Sequence, residues 1–153
     1  MSDETGSAHD SVGGWAKSYY YASRTVIESV LREHDLGQTQ WYVLYQLAHD
    51  GPTIQRDLGR ILKIERATLS GIVSTLVRKG LIEQVADAAD QRQRVLRLSP
   101  AGEQLWKELP DPVAISQGVA FEGADAAELD VARRVLRTAT QRLQDHLAAG
   151  GIE

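Results

Sequence analysis

Apolar positions along this chain fall into short runs of helical or alternating spacing, and the clearest of them lie between Thr53 and Ser99. Ile54, Leu58, Ile61 and Leu62 recur at intervals of three and four, which gives one apolar face of a helix. Thr53 follows Gly51-Pro52 and is placed to cap that helix. Leu69, Ile72, Val73 and Leu76 repeat the pattern, and Gly80 stands where a helix takes a left-handed C-terminal residue. Only Lys63-Ile64-Glu65 separates the two segments, so the pair is predicted to be a helix-turn-helix. Residues 81–85 and 94–98 are β-capable and are joined by a polar, turn-prone stretch around Asp87 and Asp90. Ser99-Pro100 opens a further helix, with Ser as cap and Pro in the first turn. A helix-turn-helix followed by a two-stranded hairpin is a winged helix, so the fold class expected is mainly α with a small β wing.

The flanks extend this reading. Residues 1–11 are polar and are expected to be a disordered tail. A long helix is predicted from residue 12 to about 34, with Trp15, Tyr19, Ala22, Val26 and Val30 on one stripe and Val12, Ala16, Tyr20, Ile27 and Leu31 on another. Two apolar faces on one helix call for two partners, its own core and a second subunit. A helix over 39–49 turns Trp41, Leu44, Tyr45 and Ala48 inward. The helix begun at Ser99-Pro100 should stop near Glu108, because Pro110 and Pro112 remove donors and fix backbone angles. Residues 113–121 form a separate helical piece. Asp125-Ala126-Ala127-Glu128 is a capping-box pattern that starts a last helix, with Leu129, Ala132, Val135, Leu136, Ala139, Leu143 and Leu147 along it. The organisation expected is a tail over 1–11, an N-terminal dimerisation helix over 12–35, a winged helix-turn-helix over 36–99 and C-terminal dimerisation helices over 100–153.

A chain of 153 residues is one domain by size. It has no apolar run of about 18 residues and no signal-peptide pattern, so no membrane partner and a cytoplasmic address are expected. With no cysteine, disulfides and cysteine-ligated metals are excluded. His9, His34, His49 and His146 lack metal-ligand spacing, so no metal or cofactor is expected. No nucleophile elbow, phosphate-binding glycine loop or paired-carboxylate constellation is present, so no catalytic residue is assigned. The net charge of −4 argues against nucleic acid only until its distribution is read. From Ile54 to Leu98 there are nine Lys/Arg against five Asp/Glu, a local +4 within a chain whose remainder carries −8. Phosphate contact needs a locally positive surface rather than a basic protein.

The run Leu76-Val77-Arg78-Lys79-Gly80-Leu81-Ile82, then Asp90-Gln91-Arg92-Gln93-Arg94, then Leu98-Ser99-Pro100-Ala101-Gly102 resembles the multiple-antibiotic-resistance regulator (MarR) family. Thr39-Gln40-Trp41-Tyr42-Val43-Leu44 matches the helix before the pair. The resemblance covers roughly residues 36–102 by motif. Ser99 stands where the family has Thr, and the prolines at 110 and 112 interrupt what is usually one long helix. The resemblance implies that the second helix of the pair lies in the major groove, offering Arg66, Ala67, Thr68, Ser70, Gly71, Ser74, Thr75 and Arg78 to DNA. The family often carries Arg at the positions of Gly71 and Thr75, so long-armed base contacts are fewer here. In the wing, Arg92 matches the family's minor-groove Arg and Asp90 its carboxylate partner, with Arg94 on phosphate. On an extended strand, residues two apart leave the same face, which would let Asp90 align Arg92. Thiol-based peroxide sensing, known in some relatives, is excluded by the lack of cysteine.

Relatives bind small aromatic or phenolic anions where the dimer helices meet the DNA-binding lobe. Here Trp15, Tyr19, Trp41 and Tyr45 would supply the walls of such a ligand site, and Arg24 or His34 would meet a carboxylate; aromatic core packing is the competing reading. The function expected is a homodimeric, sequence-specific DNA-binding transcriptional regulator, a repressor of a palindromic operator in double-stranded DNA, released by a small aromatic ligand. The alternatives are a winged-helix protein-interaction module that binds no DNA, and an enzyme acting on a small aromatic compound.

Overall fold

The computed structural model describes residues 8–150. Two compact units are present, residues 1–116 and 117–153, with the division falling inside one helix. The elements are α1 (Val12–Arg32), α2 (Gln38–Asp50), β1 (Thr53–Ile54), α3 (Gln55–Leu62), α4 (Arg66–Arg78), β2 (Ile82–Ala86), β3 (Arg94–Leu98), α5 (Pro100–Glu108), α6 (Pro112–Ala120) and α7 (Ala126–Ala148).

The first unit is built on α2, α3, α4 and the sheet. Val43, Leu44, Leu58, Leu69, Leu76 and Leu96 are fully buried and come from every one of these elements. Each such side chain contributes about 1.5–3 kcal/mol relative to exposure. Gly59 lets α3 and α4 close on one another: a Cβ there would sit 3.2 Å from Leu69 Cδ2 and 3.3 Å from the Ile64 carbonyl oxygen. The turn between them is tight because Lys63 takes a left-handed conformation (φ 54°) and Ile64 N–H returns to the Gly59 carbonyl at 2.9 Å. At the far end of α4, Gly80 has φ 75°, its N–H donates to Val77 O at 2.9 Å, and Leu81 N–H donates to Leu76 O at 3.0 Å. That pair of bonds is the Schellman closure expected of a glycine at this position.

Four sequence expectations are corrected. Thr53 does not cap α3. Its hydroxyl donates to Gly51 O at 2.9 Å, and Thr53–Ile54 form a strand that pairs with β3 in the register Thr53↔Leu96, Ile54↔Val95. The sheet therefore has three antiparallel strands in the order β1-β3-β2 rather than two; a two-residue strand behind a proline carries no alternation to read. Ile61 is about half exposed, so the apolar face of the shorter α3 is narrower than the pattern implied. The tail expected over 1–11 gains order before its end. Ala8–Asp10 form a 3₁₀ turn, and the Ser11 hydroxyl accepts from Gly14 N–H at 3.0 Å as the cap of α1; residues 1–7 lie outside the described residues.

Where β3 gives way to α5, Ser99 is buried and does several jobs. Its N–H donates to Leu81 O at 3.0 Å and its hydroxyl to Gly80 O at 2.5 Å, while the hydroxyl accepts from Gly102 N–H at 3.0 Å. Gly102 packs so closely that a Cβ would collide with the Leu81 carbonyl. The Ser-x-x-Gly step is thus the clamp that joins α5 to the end of α4, and it needs a hydroxyl rather than the methyl of Thr. As the prolines predict, α5 ends at Glu108 and α6 starts at Pro112, with Asp111 Oδ1 accepting from Val113 and Ala114 N–H, each at 3.0 Å.

α1 buries Ile27 and Leu31 only near its C-terminal end, while Trp15, Tyr19, Tyr20 and Tyr21 are exposed. In the second unit, α7 begins with the expected capping box: Asp125 Oδ1 accepts from Ala127 N–H at 3.1 Å, and Glu128 Oε1 from Asp125 N–H at 3.2 Å. Its apolar stripe, including Val135, Leu136, Leu143 and Leu147, is exposed and no residue of the helix is buried.

Candidate nucleic-acid interface

α4 turns Leu69, Val73 and Leu76 into the core, and its 3.6-residue period then fixes what lies opposite. Arg66, Ala67, Thr68, Ser70, Gly71, Ser74 and Arg78 are exposed and Thr75 is half-buried. At its N-terminus, Glu65 is the cap residue but makes no side-chain bond to the first turn. Donors of that kind, with the positive end of the helix dipole, suit an anionic oxygen. Thr75 is less available than its position suggests, since its hydroxyl donates to Gly71 O at 3.1 Å and accepts from Arg78 Nη2 at 3.4 Å.

The wing joins this face through a polar chain that sequence reasoning missed. Gln55, in the first turn of α3, donates from Nε2 to Ser70 Oγ at 3.3 Å and accepts at Oε1 from Gln84 Nε2 of β2 at 2.7 Å. With Thr53 mistaken for a cap, Gln55 had no apparent role; the strand β1 swings it toward both α4 and β2. Asp90 and Arg92 are also brought together, but not by an extended strand. Asp90 Oδ1 accepts Arg92 N–H at 3.0 Å, and Gln93 N–H closes on Asp90 O at 2.9 Å, so the pair sits in an Asx-type turn between β2 and β3. The Arg92 guanidinium Nε lies 3.3 Å from the same oxygen and its side chain is 93% exposed, free to swing outward. Arg66, Arg78 and Arg94 are exposed and make no ion pair among the described residues, whereas Arg56 and Arg60 flank Asp57 and Arg97 binds Glu83 at 2.7 Å.

Residues 34–93, from the end of α1 through the helix pair to the wing tip, match the MarR family model. The HTH-type transcriptional regulator FarR of Neisseria gonorrhoeae is 30% identical over 92 residues, 60% of this chain and 63% of that protein. Over these residues the chain is similar to the MarR family. It spans under two thirds of the length of the FarR relative. A probable transcriptional regulator from Pseudomonas aeruginosa, 28% identical, superposes with a TM-score of 0.73 over 85% of this chain and 97% of that one. A mutant MarR from E. coli, complexed with operator DNA, shares the fold at a TM-score of 0.76 and 17% identity, over 84% of this chain and 92% of that one. The MarR wing and helix pair are thus matched by sequence, and the surrounding helices by structure.

Of the four aromatic residues that the MarR resemblance suggested for a ligand, Trp41 and Tyr45 pack together, with ring centroids 5.3 Å apart. They continue into Trp106 of α5, 5.8 Å from Trp41, and into His49, stacked on Tyr45 at 4.0 Å. Trp106 and His49 escaped the sequence reading because neither lies on the stripe that pointed inward. Trp15 and Tyr19 lie instead on the exposed part of α1, with Trp15 Nε1 donating to Asp10 at 2.8 Å. Arg24 is engaged by Glu28 at 2.9 Å, and that hydrogen bond raises its pKa above the ordinary value. Trp41 is buried, yet its indole N–H meets no acceptor among the described residues. Among those residues no group of three or more His, Asp or Glu could hold a metal, and no helix is long and apolar enough to cross a membrane.

Proposed function

We propose that this chain is a homodimeric, sequence-specific DNA-binding transcriptional regulator, cytoplasmic and without enzymatic activity, that represses a palindromic operator. The observation that carries the reading is the continuous surface of small and basic side chains on α4 joined to the wing through Ser70, Gln55 and Gln84. α4 enters the major groove with Arg66, Ala67, Thr68, Ser70, Gly71 and Ser74 near base edges, and Arg92 of the wing reaches the adjacent minor groove. Arg78 and Arg94 meet phosphates. The MarR relative complexed with operator DNA supports this docking. The exposed apolar stripes of α1 and α7 are the surfaces that a second copy covers, since soluble monomers rarely leave such patches open.

The test is selection of bound duplexes from a random pool by the purified chain, followed by titration of the enriched sequence at several salt concentrations. A two-fold symmetric motif, with affinity falling steeply as salt rises, is the expected result. A winged-helix module that contacts only protein would enrich no motif. Release by a small aromatic ligand is a second element of the reading, favoured by the unpaired Trp41 indole N–H beside Tyr45, His49 and Trp106. An acceptor oxygen on a flat ligand would satisfy that donor.

A further inference from the structure

Lys79, the residue that ends α4, reaches across to the turn between α1 and α2. Its ammonium donates to the Asp35 carbonyl oxygen, lies 3.3 Å from Gln40 Oε1, and lies 3.5 Å from the Asp35 carboxylate. The two hydrogen-bond acceptors are held by the turn itself. Asp35 holds a left-handed conformation (φ 55°) with its N–H on Arg32 O at 3.1 Å, and Gln40 Oε1 also accepts Gly37 N–H at 3.2 Å. Together they line a cleft of about 280 Å³ between the end of α1, the start of α2 and the end of α4.

An ammonium has three protons and no acceptor capacity. Here two hydrogen bonds, to the Asp35 carbonyl oxygen and Gln40 Oε1, hold it beside the exposed Asp35 carboxylate, and the side chain is only 26% exposed, so its donors are turned toward the α1–α2 turn. In this it differs from Arg66, Arg78 and Arg94, which make no ion pair among the described residues. What Lys79 supplies is direction. The core contacts of α4, through Leu69, Val73 and Leu76, are apolar, and such contacts resist separation better than they resist sliding or rolling. A hydrogen-bonded tie at one end fixes the roll. It ties to the turn that joins α1 to α2 and to the first turn of α2, and the far end of α1 carries the exposed aromatic face.

We propose that Lys79 is a positioning residue that sets the pitch of the recognition helix relative to α1, and so sets the half-site spacing that a dimer accepts. The inference rests on the DNA-binding dimeric reading above. The experiment compares the wild type with Lys79→Met, Lys79→Arg and Gln40→Leu on the duplex selected from the random pool, and on versions with one base pair added or removed at its centre. Each change of one base pair turns a half-site by about a tenth of a helical turn, so the wild type should discriminate by about tenfold or more. Lys79→Met should reduce that preference below about threefold while leaving the slope of log affinity against log salt unchanged, since no phosphate contact is lost. Lys79→Arg keeps the charge but not the compact ammonium, and should restore the preference only in part. Gln40→Leu changes no charge and should relax the preference in the same direction, which serves if Lys79→Met folds poorly. A slope lower by about 0.9 with spacing preference intact would identify a phosphate contact and overturn the inference; so would variants with the wild-type spacing profile. A wild type that selects no duplex overturns the regulator reading itself, a result separate from either of these.

Discussion

One carboxylate oxygen of Asp90 accepts the Arg92 backbone N–H at 3.0 Å and lies 3.3 Å from the Arg92 guanidinium. The first bond builds the turn and the second aims the side chain, so the two effects separate by substitution. Arg92→Ala should cost roughly 1–3 kcal/mol of operator affinity with dimerisation and helix content unchanged. Asp90→Asn keeps the turn acceptor and should cost least, and Asp90→Ala, which loses both bonds, should fall between them. Arg92→Lys should recover only part of the loss, because an ammonium lacks the planar fork. Titration of the four variants on one operator at fixed salt gives the order. Wild-type affinity in Arg92→Ala would mean that the wing does not touch DNA.

The clamp at Ser99 and Gly102 predicts a stability pattern. Ser99→Thr should be nearly neutral, since the hydroxyl is what Gly80 and Gly102 engage. Ser99→Ala should lose about 1 kcal/mol, in the range of a lost helix cap. Gly102→Ala forces a Cβ against the Leu81 carbonyl and should cost about 1–3 kcal/mol as an overpacking change. Urea unfolding followed by circular dichroism checks all three. A fully stable Gly102→Ala would show that α5 can retreat from the sheet.

Assembly is tested on α7, where Leu136 is 43% and Leu143 is 66% exposed. Leu136→Glu and Leu143→Glu should each shift a dimer toward monomer at micromolar concentration in sedimentation equilibrium, because a charge buried at an interface without a partner is costly. A dimer unaffected by both changes would put the interface elsewhere.

For the ligand, an aromatic acid that fills the site beside Trp41 should quench tryptophan fluorescence and weaken operator binding together, and operator should weaken ligand affinity by the same factor. Trp41→Phe keeps an aromatic side chain but removes the indole donor and part of the ring, and should weaken the ligand without changing operator affinity in its absence. A millimolar screen of aromatic acids and phenols that moves neither signal would dispose of the site.

The helix pair and its glycine stop were legible because Leu69, Val73, Leu76 and Gly80 obey local rules of period and termination. The capping box at Asp125 and the break at Pro110 and Pro112 were legible for the same reason. What escaped depended on chain segments distant in sequence. Thr53 looked like a cap because its partner Leu96 lies 43 residues on, and pairing with it is what makes a strand of two residues. Asp90 and Arg92 were paired correctly but through the wrong geometry, since a side chain that accepts its neighbour's N–H makes a turn that strand spacing does not encode. Gln55, Gln84 and Lys79 carried no pattern at all, because a polar side chain on a helix end reads as solvated until its acceptor is known.

The bond from Ser99 N–H to Leu81 O closes the base of the wing at 3.0 Å, directly beneath the Ile82↔Leu98 pair. The loop between Ala86 and Arg94, beyond the paired strands, can change length without disturbing the helices below it. Doubling the loop between β2 and β3 would cost only about 0.6 kcal/mol of closure entropy. The fold therefore gives its descendants a segment that can be lengthened, shortened or recharged freely, while the clamp beneath keeps each new version aimed at the same place.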